Sequence, residues 1–202
     1  MSEKNKYEII LASASPRRKS LLENIGAKFT VLTAECDETI EEGLTPFEAV
    51  MVLSLKKAAA VGERFEKQRK IIIGADTIVV FDDVILTKPK DEEEAFSMLK
   101  MLSGKSHSVL TGITVMDTYN SKSETVFEET KVYFKELTDE EIKGYIKTKE
   151  PLDKAGSYGI QGIGSIFIEK IEGDYFNVVG LPVSRLCELL KKEFDINIIL
   201  ER

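Results

Sequence analysis

Three clusters of residues combine types and spacings that could do chemistry. The first is Leu11-Ala12-Ser13-Ala14-Ser15-Pro16-Arg17-Arg18. Small residues separate an apolar run from a helix start. Such a turn aims backbone N–H groups and the positive end of a helix dipole at one point. Two arginines in a first helical turn are unfavourable unless an anion sits beside them. Arginine also holds phosphate through two parallel hydrogen bonds. The loop by itself leaves two readings open: a phosphate site, or two arginines on the surface. The second cluster is Gly74-Ala75-Asp76-Thr77, which follows three isoleucines. A carboxylate at the mouth of a buried strand suits a general base or a metal ligand; a turn aspartate is the plainer alternative. The third is Leu152-Asp153-Lys154-Ala155-Gly156-Ser157-Tyr158-Gly159-Ile160-Gln161-Gly162. Its glycines let backbone approach a ligand. The Gln161 amide, donor and acceptor at once, suits a base edge that carries a carbonyl beside an N–H. A glycine-rich surface loop would look the same.

Other motifs fail. Gly104-Lys105-Ser106 lacks the earlier glycine of a phosphate-binding loop, since Leu99 stands there, and its helix comes before it. Gly162-Ile163-Gly164 lacks the third glycine of a dinucleotide loop, with Phe167 in its place. A catalytic triad around Ser13 or Ser15 would need His107, the only histidine, and no nucleophile elbow is present.

The elements that must carry these residues follow from periodicity and caps. Residues 7–12 read as a short strand. Ser15-Pro16 opens a helix that stops near Gly26, and residues 29–33 form a second strand. Thr45 and Glu48 make a capping box with proline at the first helical position, starting a helix through Ala60. Residues 71–73 read as a strand ended by the Gly74 cluster, with a hairpin of 78–81 and 84–86 around Asp82-Asp83. Asp91 caps a helix to Ser103. Residues 107–116 and 125–134 alternate as longer strands. Thr138 and Glu141 form another capping box. Residues 151–164 are irregular; a strand over 165–171 and a helix over 181–194 close the chain. This order predicts an α/β fold with a mixed sheet flanked by helices.

The chain has 202 residues, which fits a single domain over 1–202. A net charge of −7 opposes broad nucleic-acid binding but not an anionic substrate held by a few focused cations. Cys36 and Cys187 form no CxxC pair and read as reduced thiols. No apolar run spans a bilayer, and residues 1–7 lack a signal peptide's apolar core, so no membrane partner and a cytoplasmic location are expected. A homodimer is the base-rate expectation.

Taken together, LASASPRR, GADT, Lys88-Pro89, LSGKSH with LTG, EPLDKAGSYGIQGIG and NVVGLPVSRL resemble the Maf family of nucleotide pyrophosphatases, nearly end to end. The resemblance implies a curved mixed sheet between helices with a deep cleft, related to the inosine triphosphate pyrophosphatases. It implies hydrolysis of a nucleoside triphosphate between the α and β phosphates with a divalent metal, Mg²⁺ or Mn²⁺. Asp76 then matches the proton acceptor. Ser13, Arg17 and Arg18 match the phosphate loop. Lys56 and Lys88 match lysines facing the triphosphate, and Glu38 an acidic cleft residue that could share the metal with Asp76. Arg17, Thr77 and Gln161 match positions tied to dTTP and UTP, as against the sister branch for 7-methyl-GTP. The family is also linked to inhibition of septum formation, so a nucleotide-binding regulator is the further alternative.

Overall fold

The computed structural model describes residues 7–200; residues 1–6, which include most of the segment read above for a signal peptide, lie outside the described residues. In chain order the elements are β1 (Glu8–Leu11), α1 (Pro16–Asn24), β2 (Phe29–Val31), α2 (Pro46–Gly62), β3 (Lys70–Phe81), β4 (Val84–Leu86), α3 (Glu92–Leu102), β5 (Ser106–Asp117), β6 (Lys122–Phe134), α4 (Asp139–Lys147), β7 (Ile168–Glu172), α5 (Tyr175–Val179) and α6 (Val183–Phe194). They form the expected mixed α/β fold. Seven strands make one sheet in the order β2-β1-β3-β5-β6-β7, with β4 beside β3. β1 runs parallel to both β2 and β3, while β4 is antiparallel to β3 and β7 antiparallel to β6.

The described chain divides into two compact units. One holds the residues up to Asp76, Thr111–Phe127 and those from Gly180 onward; the other holds Thr77–Leu110 and Glu128–Val179. In the first, Ile10, Ala12, Ala58, Val61 and Ile72 form a buried cluster. In the second, the core includes Leu99, Phe134, Tyr145, Tyr158 and Phe167, with Phe134 and Tyr158 ring centroids 4.7 Å apart. His107 is buried in this ring cluster and hydrogen-bonds the Tyr158 hydroxyl through Nε2 at 2.7 Å. Among the described residues, no helix is long and apolar enough to cross a membrane. Cys36 and Cys187 are unbridged.

Local signals act where the sequence places them. Thr45 accepts from the Glu48 amide at 3.3 Å while Glu48 accepts from the Thr45 amide at 2.8 Å, a complete capping box that opens α2. Thr138 and Glu141 do the same for α4. Asp91 caps α3 by accepting from the Glu94 amide at 2.8 Å. Asp82 and Asp83 take φ values of 47° and 63°, the left-handed pair that a tight two-residue hairpin between β3 and β4 requires.

The Gly74 cluster behaves differently from the expectation. It does not end a strand: β3 runs unbroken for 12 residues, and Asp76 lies in its middle rather than at its mouth. Gly74 serves close approach instead. A Cβ there would stand 2.4 Å from the Ser54 carbonyl oxygen and 2.8 Å from the Ala58 nitrogen. On β5, a Cβ on Gly112 would stand 2.2 Å from the Val50 carbonyl oxygen. Two side-chain-free positions thus let α2 press onto the sheet. Near the C-terminus, residues 163–167 form a 3-10 turn that takes in the first three residues of the strand expected over 165–171, so β7 starts at Ile168. α5 precedes α6, which begins only after Pro182.

Candidate active site

The site grows from the β1–α1 turn. Ser15 caps α1 with Pro16 in its first turn, and no acidic residue offsets Arg17 and Arg18 there. Ser13 and Arg18 are both buried. Arg18 donates from Nη1 to Ser13 Oγ at 3.0 Å and from Nε to the Gly180 carbonyl at 2.8 Å. Burial pulls the Arg18 guanidinium below its ordinary range, and the negative charges of Asp76 and Glu38 push back. Those two carboxylates therefore lie within electrostatic reach of the turn.

Asp76 is 9% exposed. It shares a face of β3 with Gly74, two residues earlier, because side chains alternate along a strand. That is the face α2 presses on. Ser54, Lys57 and Ala58 stand at i, i+3 and i+4 of the helix, hence on one side of it. Ser54 and Ala58 meet Gly74, so Lys57 arrives over Asp76. Lys57 Nζ lies 2.5 Å from Asp76 Oδ1 and 3.2 Å from Glu38 Oε1. Glu38 reaches in from the exposed loop after β2. Lys56, one residue earlier, turns away and pairs with Glu41 at 3.3 Å.

The first unit thus gathers Ser13, Arg17, Arg18, Glu38 and Asp76, with Lys57 as a member that sequence reasoning missed. A signal for it was available: Lys57 lies in phase with Val50, Ser54 and Val61, which are buried on α2. Among the described residues, no group of three or more His, Cys, Asp or Glu is placed to hold a metal. Glu38 and Asp76 converge as a pair on one ammonium.

The remaining candidates belong to the second unit. Thr77 follows Asp76 on β3 and is half-buried; Lys88 is exposed after β4, and Gln161 is exposed in the glycine-rich loop. Glu150 ties that loop down. Its carboxylate accepts from the Ile163 amide at 3.0 Å, the Gly164 amide at 3.1 Å and the Tyr145 hydroxyl at 2.9 Å. Gly162, just before these amides, has φ +83°, a conformation that disfavours any side chain. Gly156 has φ +67°, and a Cβ there would meet the Val79 side chain at 2.9 Å.

Comparison with known proteins fixes the family. The model of the family described as Maf-like protein matches residues 8–193. The chain belongs to the Maf-like protein family. Among curated relatives of this Maf-like chain, a protein of Thermoanaerobacter sp. (strain X514) is 53% identical over 95% of this chain and 100% of its own length. One from Clostridioides difficile (strain 630) is 51% identical over 94% of this chain and 97% of its own. One from Bacillus cytotoxicus is 55% identical over 93% and 96% respectively. All three are named dTTP/UTP pyrophosphatase. Among solved structures, the Staphylococcus aureus Ham1 protein matches with a TM-score of 0.49 and 16% identity over 80% of this chain and 79% of that one.

Proposed function

We propose that this Maf-like chain is a nucleoside triphosphate pyrophosphatase hydrolysing dTTP and UTP to the monophosphate and pyrophosphate. One geometric observation carries the reading: Lys57 bridges Glu38 and Asp76 within electrostatic reach of the Ser13–Arg18 turn. The names of relatives more than half identical to this chain support the same activity.

The chemistry follows from charge. A triphosphate carries about four negative charges near neutral pH, and cations must offset them before water can approach. In this reading the Ser13–Arg18 turn, with Arg17 and the amides opening α1, forms the seat for phosphate oxygens. Lys57 offsets further charge beside Asp76; Lys56, drawn to Glu41, is the weaker candidate. Asp76 takes the proton of the attacking water. The water oxygen bonds to phosphorus, the α–β bridge breaks, and pyrophosphate leaves with the electrons of the bridging oxygen. Lys88 adds a cation for the phosphates, and Arg17, Thr77 and Gln161 set the choice of base, by their match to the family pattern.

A hard divalent cation such as Mg²⁺ or Mn²⁺ suits these donors. Mg²⁺ is commonly held by one or two carboxylates plus substrate phosphates, and Glu38 and Asp76 already converge on a single positive charge. When bound, such an ion offsets phosphate charge and lowers the pKa of a bound water. A single catalytic domain over residues 1–202 and a cytoplasmic location belong to the same proposal.

The test is a nucleotide panel with Mg²⁺, resolved by chromatography. Release of dTMP, UMP and pyrophosphate ahead of purine products is expected. Preference for 7-methyl-GTP would keep the reaction and overturn the assignment of Gln161. Binding without turnover of any nucleotide would replace the enzyme with a nucleotide-binding regulator.

A further inference from the structure

We infer that Arg18 is a positioning residue, which presets the Ser13 hydroxyl as a hydrogen-bond donor to the substrate's phosphate chain instead of binding phosphate directly. The inference rests on the reading of the β1–α1 turn as the phosphate loop.

A serine hydroxyl has one proton to donate and two lone pairs to accept with. Ser13 Oγ accepts from Arg18 Nη1 at 3.0 Å and from the Ser15 amide at 3.3 Å. Both acceptor sites are occupied. Its own proton meets no acceptor among the described residues, although Ser13 is only 7% exposed. Phosphate oxygens accept and cannot donate. A hydroxyl that can only donate therefore matches them and disfavours a ligand group that would itself donate. A charged donor on the same oxygen also polarises the O–H bond, which strengthens its donation.

Arg18 is built for this task. Nε is committed to the Gly180 carbonyl at 2.8 Å and Nη1 to Ser13, so the planar guanidinium is pinned at two points. Gly180 has φ 121°, which turns the backbone before Pro182 and presents that carbonyl. Lysine has no such fork, and one ammonium on a flexible stem does not reproduce the two-point geometry.

The test is a double-substitution cycle read by calorimetry. The ligand is α,β-imido-UTP, whose bridging nitrogen resists cleavage. Ser13→Ala should weaken binding by about tenfold or more, as expected for a lost hydrogen bond to a charged group. Arg18→Lys should weaken it similarly. The double variant should bind no worse than the weaker single one. Losses that multiply in the double variant would show that Arg18 acts independently of Ser13 and overturn the inference. So would a Ser13→Ala protein that binds as well as wild type. If Arg18→Lys does not fold, Arg18→Gln takes its place in the cycle, and Ser13→Thr supplies a separate check. Threonine keeps the hydroxyl and should retain most of the affinity; a loss equal to that of Ser13→Ala would overturn the donor role. Turnover of UTP is measured alongside. Wild-type protein that binds the analogue but releases no pyrophosphate defeats the pyrophosphatase reading alone, and the cycle still decides Arg18. Wild-type turnover with multiplying losses defeats the Arg18 inference alone.

Discussion

Lys57 Nζ lies 2.5 Å from the Asp76 carboxylate, although the residues are 19 positions apart and belong to a helix and a strand. The same nitrogen holds Glu38 at 3.2 Å. One ammonium thus fixes two acidic groups that arrive from different segments, and any cation or phosphate entering there must contend with it.

Lys57→Ala is therefore expected to lower kcat/KM for UTP by about a hundredfold or more, as loss of a preorganised charge in a site does. Lys56→Ala should stay within about threefold of wild type, because its partner Glu41 is largely exposed and such pairs contribute little. Steady-state hydrolysis of UTP by the two variants separates the neighbours. Equal losses would undo the assignment.

Gly74→Ala should destabilise the fold by about 3 kcal/mol, since its Cβ would meet backbone atoms of α2 that cannot rotate away. Turnover should fall as well, because α2 carries Lys57. Gly144→Ala is the control. Its Cβ would meet nothing within 4 Å and it sits inside α4, so a gain of about 0.5–1 kcal/mol is expected. Urea midpoints measure both.

Stability should rise with pH through the His107 window. Burial lowers the His107 pKa from 6.5 to about 4, and an imidazolium would carry an Nδ1–H that meets no acceptor among the described residues. Between these values the unfolded chain binds the proton and the folded chain does not. Stability is therefore full above about pH 6.5, falls on acidification, and levels off below about pH 4, a change of roughly 3 kcal/mol. His107→Gln should remove this slope. Unfolding curves at pH 7 and pH 4.5 for both proteins check it; an unchanged slope in the variant would assign it to other groups.

Glu150→Ala should loosen the loop that carries Gln161, since two backbone amides and the Tyr145 hydroxyl lose their shared acceptor. A cost of about 2 kcal/mol in stability is expected. The preference for UTP over purine triphosphates should narrow more than the maximal rate falls. A nucleotide panel run on this variant and on Gln161→Ala compares the two effects, and unchanged discrimination in both would remove the loop from base selection.

Much of this was legible in the chain because its causes are local. A capping box such as Thr45 with Glu48 is complete within four residues. The Asp82-Asp83 hairpin depends on two φ values, and the run of motifs from LASASPRR to NVVGLPVSRL identifies the family without coordinates. Asp76, Ser13 and Arg18 were visible as types in a pattern. Other features depend on what lies opposite. Gly74 reads as a strand end in sequence, because nothing local shows the helix backbone pressed against it. Lys56 and Lys57 are chemically identical, and only the rotation of α2 about its axis, set by Ser54 and Ala58 meeting Gly74, decides which of them reaches Asp76. Arg17 and Arg18 are likewise the same residue type in one turn, yet the partners of Arg18, Ser13 and Gly180, lie 5 and 162 positions away. The family, the helix caps and the kinds of group at the site are all written in the order of residues along the chain. Which lysine and which arginine face which partner follows from helix phase and close backbone approach, and both exist only once distant segments have packed together.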